Sequence, residues 1–81
     1  MKAVIKVRLK NGILDPQGKT VNNALHHLGF GSINDVRIGK LIELTIKEKK
    51  QDVARKKIEE ACKKLLTNPI IEDFTYELIE D

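Results

Sequence analysis

Disulfides are excluded at the outset, because Cys62 is the only cysteine in the chain. The same scarcity excludes a zinc site built from several thiolates. Tryptophan is absent and aromatic residues are 4% of the sequence. Stacking platforms for single-stranded nucleic acid are therefore missing. No apolar run approaches the ~20 residues of a membrane span. Met1 to Lys6 interleaves charges with apolar residues, which is not the continuous apolar region of a secretory signal. A lone cysteine without such a signal suits a reducing compartment, so a cytoplasmic location is expected.

What remains is a chain of 81 residues. That length allows one domain, residues 1–81, with a single small core. A core of that size is marginal alone. With no disulfide or metal to add stability, association with other chains is the usual supplement. Charge is mixed: 15 Lys and Arg stand against 12 Asp and Glu, for a net +3 and a pI near 9.1. Basic residues dominate the first strand and acidic residues the last ten positions. A charged, solvated surface accounts for this pattern, whereas a nucleic-acid footprint needs one clustered basic face.

Residues Lys2 to Lys10 alternate. Ala3, Ile5, Val7 and Leu9 share one face, and Lys2, Lys6, Arg8 and Lys10 the other. Period two with β-branched residues predicts a half-buried strand. Asn11-Gly12 breaks it. Asp15-Pro16-Gln17-Gly18 then starts a helix. The Asp carboxylate can accept from free first-turn N–H groups, and Pro tolerates the first helical position. Val21, Ala24, Leu25 and Leu28 form one apolar stripe. Gly29 suits a left-handed stop, with Phe30 packing back on Leu25.

Val36 and Ile38, then Ile42, Leu44 and Ile46, alternate again across an interruption at Gly39-Lys40. One bent strand and two short strands around a tight turn both fit. The glycine permits a bulge or a close backbone approach. Asp52 is expected to cap a second helix, with Ala54, Ile58, Ala61, Cys62, Leu65 and Leu66 as its buried stripe. Pro69 ends it. Ile70, Phe74, Tyr76 and Leu78 alternate in a last strand. The expected class is α+β: a sheet of three to four mainly antiparallel strands with two helices on one face, in the order β-α-β(β)-α-β, a reduced ferredoxin-like arrangement. Val4, Leu41, Ile71 and Ile79 fall on the other sheet face, where an apolar patch would suit a sheet-to-sheet contact between subunits.

Candidate chemistry is sparse. His26 and His27 point about 100° apart on a helix and do not converge on one metal. Cys62 reads as a small core residue. The acidic residues Glu72, Asp73, Glu77, Glu80 and Asp81 read as a solvated edge, since acid–base work needs a pocket that separates carboxyl pKa values. No nucleophile, base and oxyanion site assemble. The turns at Asp15 to Gly18 and Arg37 to Lys40 are the polar breaks that stand out. The first opens a helix, whose backbone N–H groups suit an anion or a partner.

The stretch Leu9-Lys10-Asn11-Gly12-Ile13-Leu14-Asp15-Pro16-Gln17-Gly18 resembles the opening signature of the PurS family, the small subunit of phosphoribosylformylglycinamidine synthase. The resemblance continues through Ala24-Leu25, Leu28-Gly29-Phe30, Val36-Arg37-Ile38-Gly39-Lys40 and Ile42-Glu43-Leu44. It ends with Leu65-Leu66-Thr67-Asn68-Pro69-Ile70-Ile71-Glu72-Asp73-Phe74. Phe74 stands where the family often has Tyr. The resemblance implies a role in de novo purine biosynthesis. The complex converts formylglycinamide ribonucleotide, ATP and glutamine to the amidine, ADP, phosphate and glutamate, using magnesium. A large synthetase subunit carries the amination and a glutaminase subunit releases ammonia. The small subunit is implied to be non-catalytic and to bind no cofactor itself. It forms dimers or tetramers, joins the other two subunits and aids ammonia transfer. Partner contacts are expected at Lys10, Asp15, Gln17, Gly18, Arg37, Gly39 and Lys40, with no nucleic acid and no membrane involved. The competing reading is a regulatory module of ferredoxin-like build that binds a small effector.

Overall fold

The computed structural model describes residues 1–80. The alternating segment at the start forms strand β1, Lys2–Leu9, as its period predicts. It lies between β2, Lys40–Thr45, and β3, Glu72–Ile79, in the order β2-β1-β3. Both pairings are antiparallel. Ile5 faces Ile42 on one side and Tyr76 on the other, and Ala3 faces Leu44 and Leu78. This register puts the β-branched and aromatic residues of all three strands on one face. The sheet therefore has three strands. Residues 36–39 form no hairpin but run up to β2 as non-strand backbone.

Helix α2, Gln51–Ala61, covers that face. Ile58 and Cys62 pack with Ala3, Ile5 and Val7, all essentially without solvent contact. Each large side chain buried this way contributes about 1.5–3 kcal/mol. Burial also raises the Cys62 thiol above its usual pKa, as a structural cysteine requires. Two expectations for this helix are corrected. Lys50, not Asp52, is the N-cap, and its side chain makes no capping bond. Asp52 sits inside the first turn, where its charge still complements the positive helix end. The last turn, Cys62–Leu66, is a π-turn, closed by the Thr67 N–H donating to the Cys62 carbonyl at 2.9 Å. The extra residue in that turn rotates Leu65 off the buried stripe, leaving it 82% exposed. Ile70 likewise lies outside β3, in the turn where the Asn68 carbonyl accepts from Ile71 and Glu72.

Helix α1, Pro16–His27, begins and ends as its sequence predicts. Asp15 accepts from the Gly18 N–H at 2.9 Å, and Pro16 occupies the first turn. Gly29 has φ 96°, while the Phe30 N–H reaches the Leu25 carbonyl. That is the Schellman stop. The His26 imidazole Nε2 lies 2.8 Å from the Ile33 carbonyl, tying the following loop to the helix. Yet α1 contributes no side chain to the core, and its only buried residue is Gly18. The apolar stripe finds no cover in the single chain: Val21 is 40% exposed and Leu28 73%.

The shape agrees. A compact domain of this length has a radius of gyration of about 12 Å. This chain has 16.2 Å and extents of 50 × 28 × 14 Å. It is a sheet-and-helix body carrying an arm, residues 10–39, with α1 along it. The sheet face away from α2 carries Val4, Leu41 and Ile79 as expected, but charged residues stand between them. Val4 sits between Glu43 and Glu77, Leu41 faces Lys6, and Ile79 faces Lys2. Alternating charge disperses the apolar residues there. Among the described residues, no helix is long and apolar enough to cross a membrane.

Candidate partner-contact site at the neck of the arm

The six residues singled out in the two turns gather with Lys10 at the neck, where the chain leaves β1 for α1 and returns to β2. Asp15 holds both passages. One carboxylate oxygen accepts from Gly18, and the other accepts from the Ile38 N–H at 2.7 Å. Arg37 returns the gesture: its guanidinium donates to the Leu9 carbonyl at 2.9 Å and to Lys10 at 3.3 Å. Gly18 and Gly39 are there for space. A Cβ on Gly18 would stand 2.3 Å from the Val36 carbonyl oxygen, and one on Gly39 would stand 2.6 Å from that of Val7. Any side chain at either position forces the backbones apart.

Asp15, Gly18, Arg37 and Gly39 thus have structural work inside the chain. Gln17 and Lys40 are exposed, and with Asp15 and Gly39 they line a cleft of about 230 Å³ that also includes Glu72. Lys40 lies 3.8 Å from Glu72 and Lys10 the same distance from Asp73. Both pairs are long, and both amines are themselves well exposed although the Glu72 carboxylate is largely buried, so each amine remains accessible to another chain. Glu72 and Asp73 as the facing acids were not legible beforehand, since their nearness depends on the β1–β3 register. Among the described residues, no group of three His, Cys, Asp or Glu is placed to hold a metal ion. Nothing at the neck resembles a nucleophile with its base.

The Gly18 and Ile38 N–H donors, reinforced by Arg37, hold the Asp15 carboxyl below its ordinary pKa. A carboxyl depressed in the folded state binds its proton more weakly there than in the unfolded chain. Its stabilising bonds are therefore fully present above the ordinary carboxylate pKa and fade as pH falls through the lower folded value. Titration of the Asp15 carboxyl carbon by NMR is expected to show a midpoint below that of the urea-unfolded chain, with the Ile38 amide shift following it. Equal midpoints in the two states would remove this clasp from the account.

The PurS family model, phosphoribosylformylglycinamidine (FGAM) synthase, matches residues 2–80. The chain belongs to the PurS family. The PurS subunit of Bacillus subtilis is 46% identical over 79 residues, covering 98% of this chain and 93% of that protein. That of Methanocaldococcus jannaschii is 38% identical over 73 residues, covering 90% and 88%. Solved structures agree with the fold. Bacillus subtilis PurS superposes with a TM-score of 0.85 over 98% of both chains. A chain in the structure of PurLQS from Thermotoga maritima is 28% identical, with a TM-score of 0.86 over 94% of this chain and 93% of that one. The Methanocaldococcus jannaschii PurS structure is described as one of the subunits of formylglycinamide ribonucleotide amidotransferase in the purine biosynthetic pathway. PurS structures thus share the three-stranded antiparallel sheet and two helices found here.

Proposed function

We propose that this chain is the non-catalytic bridging subunit of FGAM synthase, joining a glutaminase subunit to a large synthetase subunit in the cytoplasm. The observation that carries the reading is the PurLQS neighbour, in which a chain of this fold is part of a multi-subunit assembly. The molecule itself fits the role. Among the described residues, six of the ten exposed large apolar side chains lie on the arm. Exposed apolar surface gathered on one element is the ordinary signature of a protein contact.

Self-association uses the arm. The α1 stripe is already helical and capped, so covering it costs little ordering. In the complex, Gln17, Lys40 and Lys10 meet the other subunits, while Asp15, Gly18, Arg37 and Gly39 keep the neck in shape. ATP, magnesium and glutamine are bound by the partners. The bridge holds two active sites in fixed relation, so that ammonia released at one reaches the other before it escapes to water and is protonated. This is the advantage of effective concentration.

Association tests the reading. The tagged chain, passed through cytosol of its source with Mg-ADP and glutamine, is expected to retain a large synthetase subunit and a glutaminase. A folded chain that retains neither would contradict the bridging role.

A further inference from the structure

The neck also shows how the arm is aimed. The Ile46 N–H donates to the Met1 carbonyl at 2.9 Å, so these two residues form a hydrogen-bonded pair. Bonded and unbonded pairs alternate along an antiparallel ladder. Ala3 with Leu44, Ile5 with Ile42 and Val7 with Lys40 are then the bonded positions of the β1–β2 register. The next bonded pair in that series is Leu9 with Ile38. It is not made. The Leu9 carbonyl accepts from Arg37 instead, and the Ile38 N–H donates to Asp15. The two groups that would form this rung are both taken by side chains.

The strands have not yet separated at that point. Gly39, one residue before, lies so close to β1 that a Cβ would stand 2.6 Å from the Val7 carbonyl oxygen. Each passage of the neck also carries one residue of positive φ, Gly12 at 87° and Asp35 at 57°. Such positions concentrate backbone turning in one residue. Beyond them the arm is internally tied, by His26 to Ile33 and by Phe30 to Leu25.

We propose that the neck is a two-position clasp. With Asp15 and Arg37 engaged, the ladder stops at Val7 and Lys40 and the arm holds its present angle. With them released, Leu9 pairs with Ile38, β2 lengthens toward the neck, and the arm swings on Gly12 and Asp35 as one body. The clasp and the rung compete for one donor, the Ile38 N–H, so the Asp15 tie and the rung exclude each other. The device sets where α1 is presented relative to the sheet, whichever surface α1 meets.

The test is NMR of the full chain carrying Arg37→Ala together with Asp15→Asn. Asparagine keeps an oxygen for the Gly18 N–H, so α1 stays capped. Protected amides in β1 and β3 report that the body is folded. The expected result is a new amide–amide contact between Leu9 and Ile38, with residual dipolar couplings of α1 rotated relative to those of the sheet. Asp15→Asn alone frees the Ile38 N–H while keeping the Gly18 cap, and it is expected to show the same contact at lower intensity. If neither variant shows the contact, or if α1 keeps its orientation when the contact forms, the clasp is overturned.

Discussion

Replacing Ile58 with alanine is expected to destabilise the chain by about 2–4 kcal/mol. Ile58 is 1% exposed and packs with Ala3, Ile5, Val7 and Cys62. Those few residues are the whole fully buried cluster, so the truncation leaves a cavity with little around it able to collapse. A chain of this length has a total stability of roughly 4–12 kcal/mol. The loss at this one position is therefore at least about a sixth of the total. Urea melts at one fixed protein concentration measure the effect, because a self-associating chain is also stabilised by mass action. The midpoint is expected to fall sharply while the slope holds. Val21→Ala, on the arm, is expected to move the melt of the sheet body hardly at all. Equal sensitivity at the two positions would mean that α1 belongs to the core after all.

Placing glutamate at both Val21 and Leu28 is expected to abolish self-association and leave the fold intact. Both side chains are on the open α1 stripe, clear of the core. Full burial of each contributes about 1.5–3 kcal/mol, and a two-fold interface repeats every substitution on its partner. Four lost contacts, each replaced by a charge needing water, weaken association by more than about a thousandfold. Sedimentation at micromolar concentration is expected to show an oligomer for the wild type and a monomer for the variant, with matching circular dichroism. An unchanged mass would place the self-contact elsewhere.

The parts of the fold that rest on near neighbours were open to sequence reading. Alternation through Ala3, Ile5 and Val7 gave β1 its inner face. Asp15-Pro16 and Gly29-Phe30 marked both ends of α1, because capping is decided within a turn. Three features were not accessible in this way. The π-turn at Cys62–Leu66 depends on a choice between bonds of nearly equal energy, so Leu65 looked like core and is solvent-facing. The α1 stripe has the same periodicity whether the sheet or another chain covers it. Periodicity alone placed it over the sheet, and only the arm's separation from the body shows otherwise. The neck ties, finally, join residues 23 to 28 apart, Asp15 to Ile38 and Arg37 to Leu9. The turns holding them stood out as polar breaks, and the resemblance marked them for partner contact. That Asp15 and Arg37 spend their side chains on the chain's own backbone emerges only from the register.

The bridging claim meets its most direct test in a reconstituted complex assayed with and without this chain. FGAM formation is measured once with glutamine as nitrogen donor and once with a high concentration of ammonium salt. A bridge that couples two active sites matters only when nitrogen must pass between them. Omitting the chain is therefore expected to abolish the glutamine-dependent reaction and leave the ammonium-dependent reaction intact. Loss of both would give this chain a part in the amination chemistry, and loss of neither would contradict the bridge.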